Sequence, residues 1–213
     1  MDGATIQARV YAGYAKAANI IGLLHSLYRP ISQTAPLSNL VSTIKVAIDS
    51  TSSYNFKEPN QYGDPTWFAL INDATTQTGD YIVGTEGTYF VAGKQFLLPI
   101  ILIECNRIVS IMRTTPPSGV GAVAYSGENT AAQVAVISGW PASILLGGRG
   151  ESSGTGVPSA GKNSGWKILL PPSITTQIVA SDVIVDDQAR RFVVQAAEFT
   201  DLGWRIQAVE EHT

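Results

Sequence analysis

Charge is what this chain has least of. Lys and Arg number 14 and Asp and Glu 17 in 213 residues, 15% of the sequence, against roughly 25% in ordinary soluble domains. A net charge of −3 argues against a protein that coats nucleic acid, because such binding draws on Lys and Arg to displace counterions. A single cysteine, Cys105, excludes an internal disulfide and a thiolate zinc site. The two histidines, His25 and His212, stand near opposite ends and leave little for imidazole catalysis. Long apolar runs are missing too. Residues 96–103 form the longest, with Pro99 inside it, whereas a membrane span needs about 18 residues. The apolar stretch at 17–24 is preceded only by Arg9 and Lys16, and no small-x-small cleavage site follows. These absences lean away from an enzyme and from a membrane protein, and predict a soluble chain made in a cytoplasm. Low charge itself has two explanations: a surface covered by other subunits, or one rich in uncharged polar residues.

The first 28 residues carry a helical period, with Ile6, Val10, Tyr14, Ala17, Ile21 and Leu24 on one face. Asp2 caps the start and Pro30 ends it, so residues 1–29 are expected to be an N-terminal helix. Gly13 and Gly22 weaken it by roughly 1 kcal/mol each, so it needs packing, either on its own domain or on a neighbouring subunit. After Pro30 the period changes to that of strands, as in Ile44-Lys45-Val46-Ala47-Ile48 and Trp67-Phe68-Ala69-Leu70-Ile71. Nothing later sustains a helical period.

The most informative feature is internal. Asp80-Tyr81-Ile82-Val83 through Phe90-Val91 aligns without a gap with Asp182-Val183-Ile184-Val185 through Phe192-Val193. Each half reads as a β-hairpin with a Gly- or Asp-rich turn. Upstream, Trp67-Phe68-Ala69-Leu70 matches Trp166-Lys167-Ile168-Leu169. Downstream, Leu102-Ile103-Glu104 lies opposite Trp204-Arg205-Ile206. The fold class expected is mainly β: the helix, then two related small β-barrel or sandwich modules at 30–115 and 116–213. Thr114-Thr115-Pro116-Pro117-Ser118-Gly119 is the expected linker. The second module carries an insertion at 147–165, in which 11 of 19 residues are Gly or Ser; such a loop is either functional or disordered.

Motifs for chemistry fail in context. Gly156 to Lys162 imitates a phosphate loop, but Asn163 replaces the magnesium-holding Ser or Thr, and no helix follows. Gly161-Lys162-Asn163-Ser164-Gly165 misplaces its serine for a nucleophile elbow. Cys105 lies in an apolar run without a local base. Asp186-Asp187 suits a turn and lacks the spaced oxygen ligands of a calcium site. No cofactor or metal is expected.

The Gly79-Asp80-Tyr81-Ile82-Val83 to Phe90-Val91 hairpin and its Ser181-Asp182 counterpart resemble the central hairpin of small β-barrel connector proteins of tailed bacteriophages. These are the head–tail joining, neck and tail-completion proteins. The opening segment from Ala8 to Ala17, through Tyr28-Arg29-Pro30, is similar to uncharacterised phage and prophage virion proteins. The resemblance implies a non-enzymatic virion component, assembled in the host bacterial cytoplasm as a homo-oligomeric ring. Its partners would be portal, neck or tail proteins, with DNA passing through a channel without sequence readout and no membrane involved. Subunit contacts are expected at Tyr11, Tyr14 and Arg29 and in the loop at Arg149 and Lys162. The alternatives are a capsid cement or baseplate protein, or a carbohydrate-binding β module using Trp67, Trp140, Trp166 or Trp204.

Overall fold

The computed structural model describes residues 2–72, 74–114, 133–147 and 165–211. The described residues form helix α1 (Gly3–Ile21) followed by twelve strands. The first six are β1 (Leu23–Tyr28), β2 (Leu40–Asp49), β3 (Thr66–Ile71), β4 (Tyr81–Val83), β5 (Thr88–Gly93) and β6 (Ile100–Cys105). They close into a barrel in the order β1-β2-β3-β6-β5-β4. The other six are β7 (Arg107–Thr114), β8 (Gln133–Leu146), β9 (Gly165–Leu170), β10 (Val183–Asp186), β11 (Arg191–Thr200) and β12 (Gly203–Glu210). They close in the order β7-β8-β9-β12-β11-β10. Adding six to each strand number of the first barrel yields the second, so the duplication expected from the sequence is a duplication of topology.

Four sequence expectations are corrected in detail. The helix ends at Ile21, not at 29, and Leu23–Tyr28 is a strand. Asp2 does cap the start, its side chain accepting from Thr5 N at 2.9 Å. At the other end Gly22 turns the chain into extended geometry. A Cβ there would meet Ala18 O at 2.4 Å and backbone atoms of Val46 at 2.9–3.0 Å, so only glycine lets the helix end lie against β2. The module boundary falls at Asn106 rather than 115/116, because β7 pairs with β8 and β10 of the second barrel. Thr114 of the expected linker is the last residue of that strand; the rest of the linker lies outside the described residues, as does most of the 147–165 insertion. The ends of that insertion are joined, Gly147 N donating to Gly165 O at 2.7 Å.

The gapless hairpin alignment also fails past the turn. Val83 pairs with Thr88, whereas Val185 pairs with Arg191; the second turn is one residue longer. The counterpart of Tyr89 is therefore Phe192, and that of Val91 is Val194. The returning strand moves further. Val91 pairs with Leu102 and Val194 with Ala208, so Leu102-Ile103-Glu104 corresponds to Ala208-Val209-Glu210, not to Trp204-Arg205-Ile206. Trp67 does correspond to Trp166, through their partners Leu102 and Ala208.

Each barrel is locked by the same ion pair. Arg29, just after β1, donates from Nε and a terminal nitrogen to the two oxygens of Asp80 at 2.8 Å each, and to Thr75 O at 2.8 Å. Arg113 in β7 does the same to Asp182 at 2.7 and 2.8 Å and to Gln177 O at 2.8 Å. Both carboxylates also accept a backbone N–H, from Gln77 at 2.8 Å and Val179 at 2.9 Å. The residue before each Asp has positive φ, Gly79 at 89° and Ser181 at 71°. A Cβ on Gly79 would lie 2.9 Å from Ser173 Cβ, while Ser181 is exposed. Space therefore explains why only the first of the two has to be glycine.

The barrels share a core. Ile82, Tyr89, Val91 and Leu102 fill the first barrel, while Tyr81, Phe90, Ala92 and Ile103 join the cluster of the second. Tyr81 Oη donates to Pro141 O at 2.7 Å, and Trp140 Nε1 donates to Gln33 O at 2.7 Å. Trp140 is fully buried. Helix α1 lies outside the first barrel, with Ala18 against Ala47 and Leu70.

Replacing Asp182 by Asn keeps the shape but removes the charge that accepts the bidentate Arg113 contact. Urea unfolding should show a loss of about 2–3 kcal/mol, as for hydrogen bonds to a buried charged group, and a similar loss for Asp80→Asn. Arg113→Lys should not escape the loss, since an ammonium lacks the planar fork.

Candidate binding site at the mouth of the first barrel

The start of β1, the β4–β5 turn, the start of β3 and the end of β2 surround a cavity of about 550 Å³. Val46, Ile48, Trp67 and Tyr89 line its depth, and Ile21, Leu23, Phe56 and Glu86 its entrance. Phe56 is held there by Asp49. This buried carboxylate accepts from Phe56 N at 2.9 Å and from Thr51 N at 3.3 Å. It shapes a loop in which Tyr54 and Phe56 both adopt positive φ, 51° and 53°. A left-handed non-glycine residue costs on the order of 1 kcal/mol, so this loop holds its aromatics in place at an energetic cost. Tyr54 is anchored edge-on to Tyr14 of the helix, with ring centroids 5.6 Å apart.

The polar groups at the mouth are mainly acids. Trp67 Nε1 donates to Glu104 Oε2 at 2.9 Å. Glu86 Oε1 lies 3.0 Å from Nε2 of the buried His25, whose Nδ1 faces Leu23 O at 3.0 Å. A Cβ on Gly84 would strike the imidazole at 2.3 Å, so the turn passes directly over that ring. Burial, then the charges of Glu104 and Glu86, push the Tyr89 phenol up to about 12. No lysine or arginine lines the cavity among the described residues.

A second concavity of about 500 Å³ lies between the barrels, at Phe90, Ile103, Lys167, Leu169, Glu198 and Arg205. Its charges are balanced, and Arg205 pairs with Glu198 at 2.8 Å. The mouth carries an unbalanced charge and three aromatics, Phe56, Trp67 and Tyr89, and is the better candidate for recognition.

Of the residues singled out in the sequence, Tyr11 lies under Lys94 Nζ, 5.2 Å from its ring centroid, and Tyr14 packs on the first barrel. The helix thus lies on its own domain, the first of the two arrangements the sequence left open. Arg29 serves the Asp80 pair. Arg149 and Lys162, like the Gly156–Lys162 phosphate-loop imitation, lie outside the described residues. Trp140 and Trp204 are buried, and Trp67 and Trp166 half-buried. Burial pushes the Cys105 thiol well above its ordinary value, which disfavours the nucleophilic thiolate. Asp186 is held by its own turn, accepting from Arg190 Nε at 2.8 Å. Among the described residues no group of three or more His, Cys, Asp or Glu is placed to hold a metal, and no helix is long and apolar enough to cross a membrane. Sequence reading missed Glu86, Glu104 and Tyr89. No protein-family model, curated protein or solved structure matches the chain.

The raised Tyr89 value has a consequence at high pH. The folded state keeps its proton when the unfolded chain, with a phenol near 10, has lost it. The folded state thus binds more protons in that window, and stability falls as pH rises. Melting temperatures should decline from pH 10 to about 12, and Tyr89→Phe should decline less steeply over the same window.

Proposed function

We propose that this protein is a structural subunit of a tailed-bacteriophage virion, assembling as a ring at the head–tail junction. The observation that carries the reading is an apolar strip running from the end of α1 into β1. Ile20 is 75% exposed, Leu24 66% and Leu23 57%, with Ile21 and Phe56 exposed beside them. Large apolar side chains exposed together at one junction of the fold mark contact with another protein, and a chain so short of charge has little else to keep them solvated. The phage station rests on the resemblance of the Asp80 and Asp182 hairpins to those of connector proteins. In this reading the partners are further copies of the chain and the portal, neck or tail proteins of the same particle. DNA passes without base readout, and the work is done in the virion after assembly in the bacterial host. Binding comes from repeated apolar contacts, and no catalytic step is assigned.

The test is particle mass in solution together with negative-stain images, with and without a portal or tail-tube protein. Rings are expected, alone or on that partner. Ile20→Asp with Leu24→Asp should weaken ring formation at least tenfold, since each substitution sets a charge against an apolar contact worth about 1–2 kcal/mol. The melting temperature of the monomer should hold, because both side chains are exposed. A monomer that ignores both partners at every concentration overturns the reading.

A further inference from the structure

The duplication supplies an internal comparison of the two barrel ends. In the second barrel the mouth aromatics are Trp166 and Phe192, whose rings lie 5.4 Å apart. The chain fills that end with its own cation: the Arg190 guanidinium carbon sits 5.3 Å from both ring centroids. Its nitrogens pair with Asp186 Oδ2 at 2.7–2.8 Å. Aromatic faces and a carboxylate are the two groups that hold a guanidinium best.

In the first barrel the corresponding aromatics are Trp67 and Tyr89, and they line the open cavity. The turn that ends in Arg190 in the second barrel presents Glu86 in the first, and the position of Arg107 is taken by Leu23. The aromatic pair is kept while both cations, Arg190 and Arg107, are lost, and Glu86 remains as the charge of the turn. Glu104 adds a second carboxylate behind Trp67.

We propose that the mouth of the first barrel receives an arginine side chain from a partner protein. The guanidinium lies against Trp67 and Tyr89 as Arg190 lies against Trp166 and Phe192, Glu86 and Glu104 supply the anionic partners, and Leu23, Val46 and Phe56 cover the methylene stem. A purely apolar occupant would leave the Glu86 carboxylate facing only the His25 imidazole, 3.0 Å away; an acidic one would be repelled. The site stands on its own geometry and does not depend on assembly into a virion.

The test is proton–nitrogen NMR of the full chain, following the four tryptophan indole N–H signals, with Trp67 assigned through Trp67→Phe. The probes are acetyl-arginine amide, acetyl-lysine amide and acetyl-norleucine amide. The arginine probe should shift the Trp67 signal saturably with a Kd of about 1–10 mM, the range for a ligand of this size. Lysine should bind more weakly, and norleucine not measurably. Glu86→Gln with Glu104→Gln should weaken the arginine probe about tenfold or more, with the fold checked by thermal melting. Glu198→Gln, an exposed acid of the second barrel, should leave it unchanged. Equal response to norleucine, no saturable shift with arginine, or binding indifferent to both Glu→Gln changes overturns the proposal.

Discussion

Barrel closure is the demand on which the rest of this structure depends, and in each barrel it falls to a short strand. β4 has three residues and β10 four, so the ladder hydrogen bonds that join each to the first strand of its barrel are few. The paired Arg29–Asp80 and Arg113–Asp182 contacts stand at the same corner and tie the strand that opens each barrel to the segment entering the closing strand. A buried carboxylate is unfavourable by itself. Here every such oxygen accepts from a guanidinium fork, and one from a backbone N–H as well, so the charge is satisfied only when the corner is correctly assembled. The pair thus makes closure specific as well as stable.

This changes how the low charge reads. A chain with few ionisable groups places several of its acids inside. Asp49 shapes the Phe56 loop, Asp80 and Asp182 hold the corners, and Asp186 holds Arg190. Composition alone left two causes open, a surface covered by neighbours or one rich in uncharged polar residues. The structure adds a third: a sizeable part of the small charge set is committed to architecture, and what remains outside is sparser than the totals imply.

What the sequence made legible follows from locality. Strands showed in their alternation, and the hairpins in Asp-x-Ile-Val, because turn and strand signals act over a few residues. The duplication showed for the same reason. The helix end did not. Leu24 falls three residues after Ile21 and so continues the helical period, and the decision lies in Gly22, whose missing side chain matters only once β2 is beside it. The return strands could not be aligned, since the offset between the halves grows from 102 residues (Ile82 to Ile184) to 103 after the turn (Tyr89 to Phe192) and to 106 in the return strands (Leu102 to Ala208), and even a one-residue slip exchanges the two faces of a strand. The same slip concealed the site. Without a gap, Phe90 falls opposite Phe192, so the match of Tyr89 to Phe192 cannot be seen, nor that the turn before this shared aromatic carries Glu86 in one half and Arg190 in the other.

The two halves have diverged where their surroundings differ. On the outer face of the first barrel, Phe90, Ala92 and Ile103 became core by meeting the second barrel, so these strands carry apolar residues on both faces. At the ends the divergence has the opposite character. The second barrel seals its aromatics with Arg190, at little conformational cost, because that arginine is already fixed by the carboxylate four residues earlier. The first barrel keeps its aromatics accessible, and the Asp49 loop adds Phe56 to the rim in a strained backbone conformation. A fold that needed only stability would have little reason to retain a half-buried tryptophan, a buried phenol beside two acids and a strained aromatic around an open cavity. The same topology, a short distance along the chain, shows how readily such an end is closed from within. An open mouth kept beside a closed duplicate is the arrangement expected where the missing cation comes from another molecule.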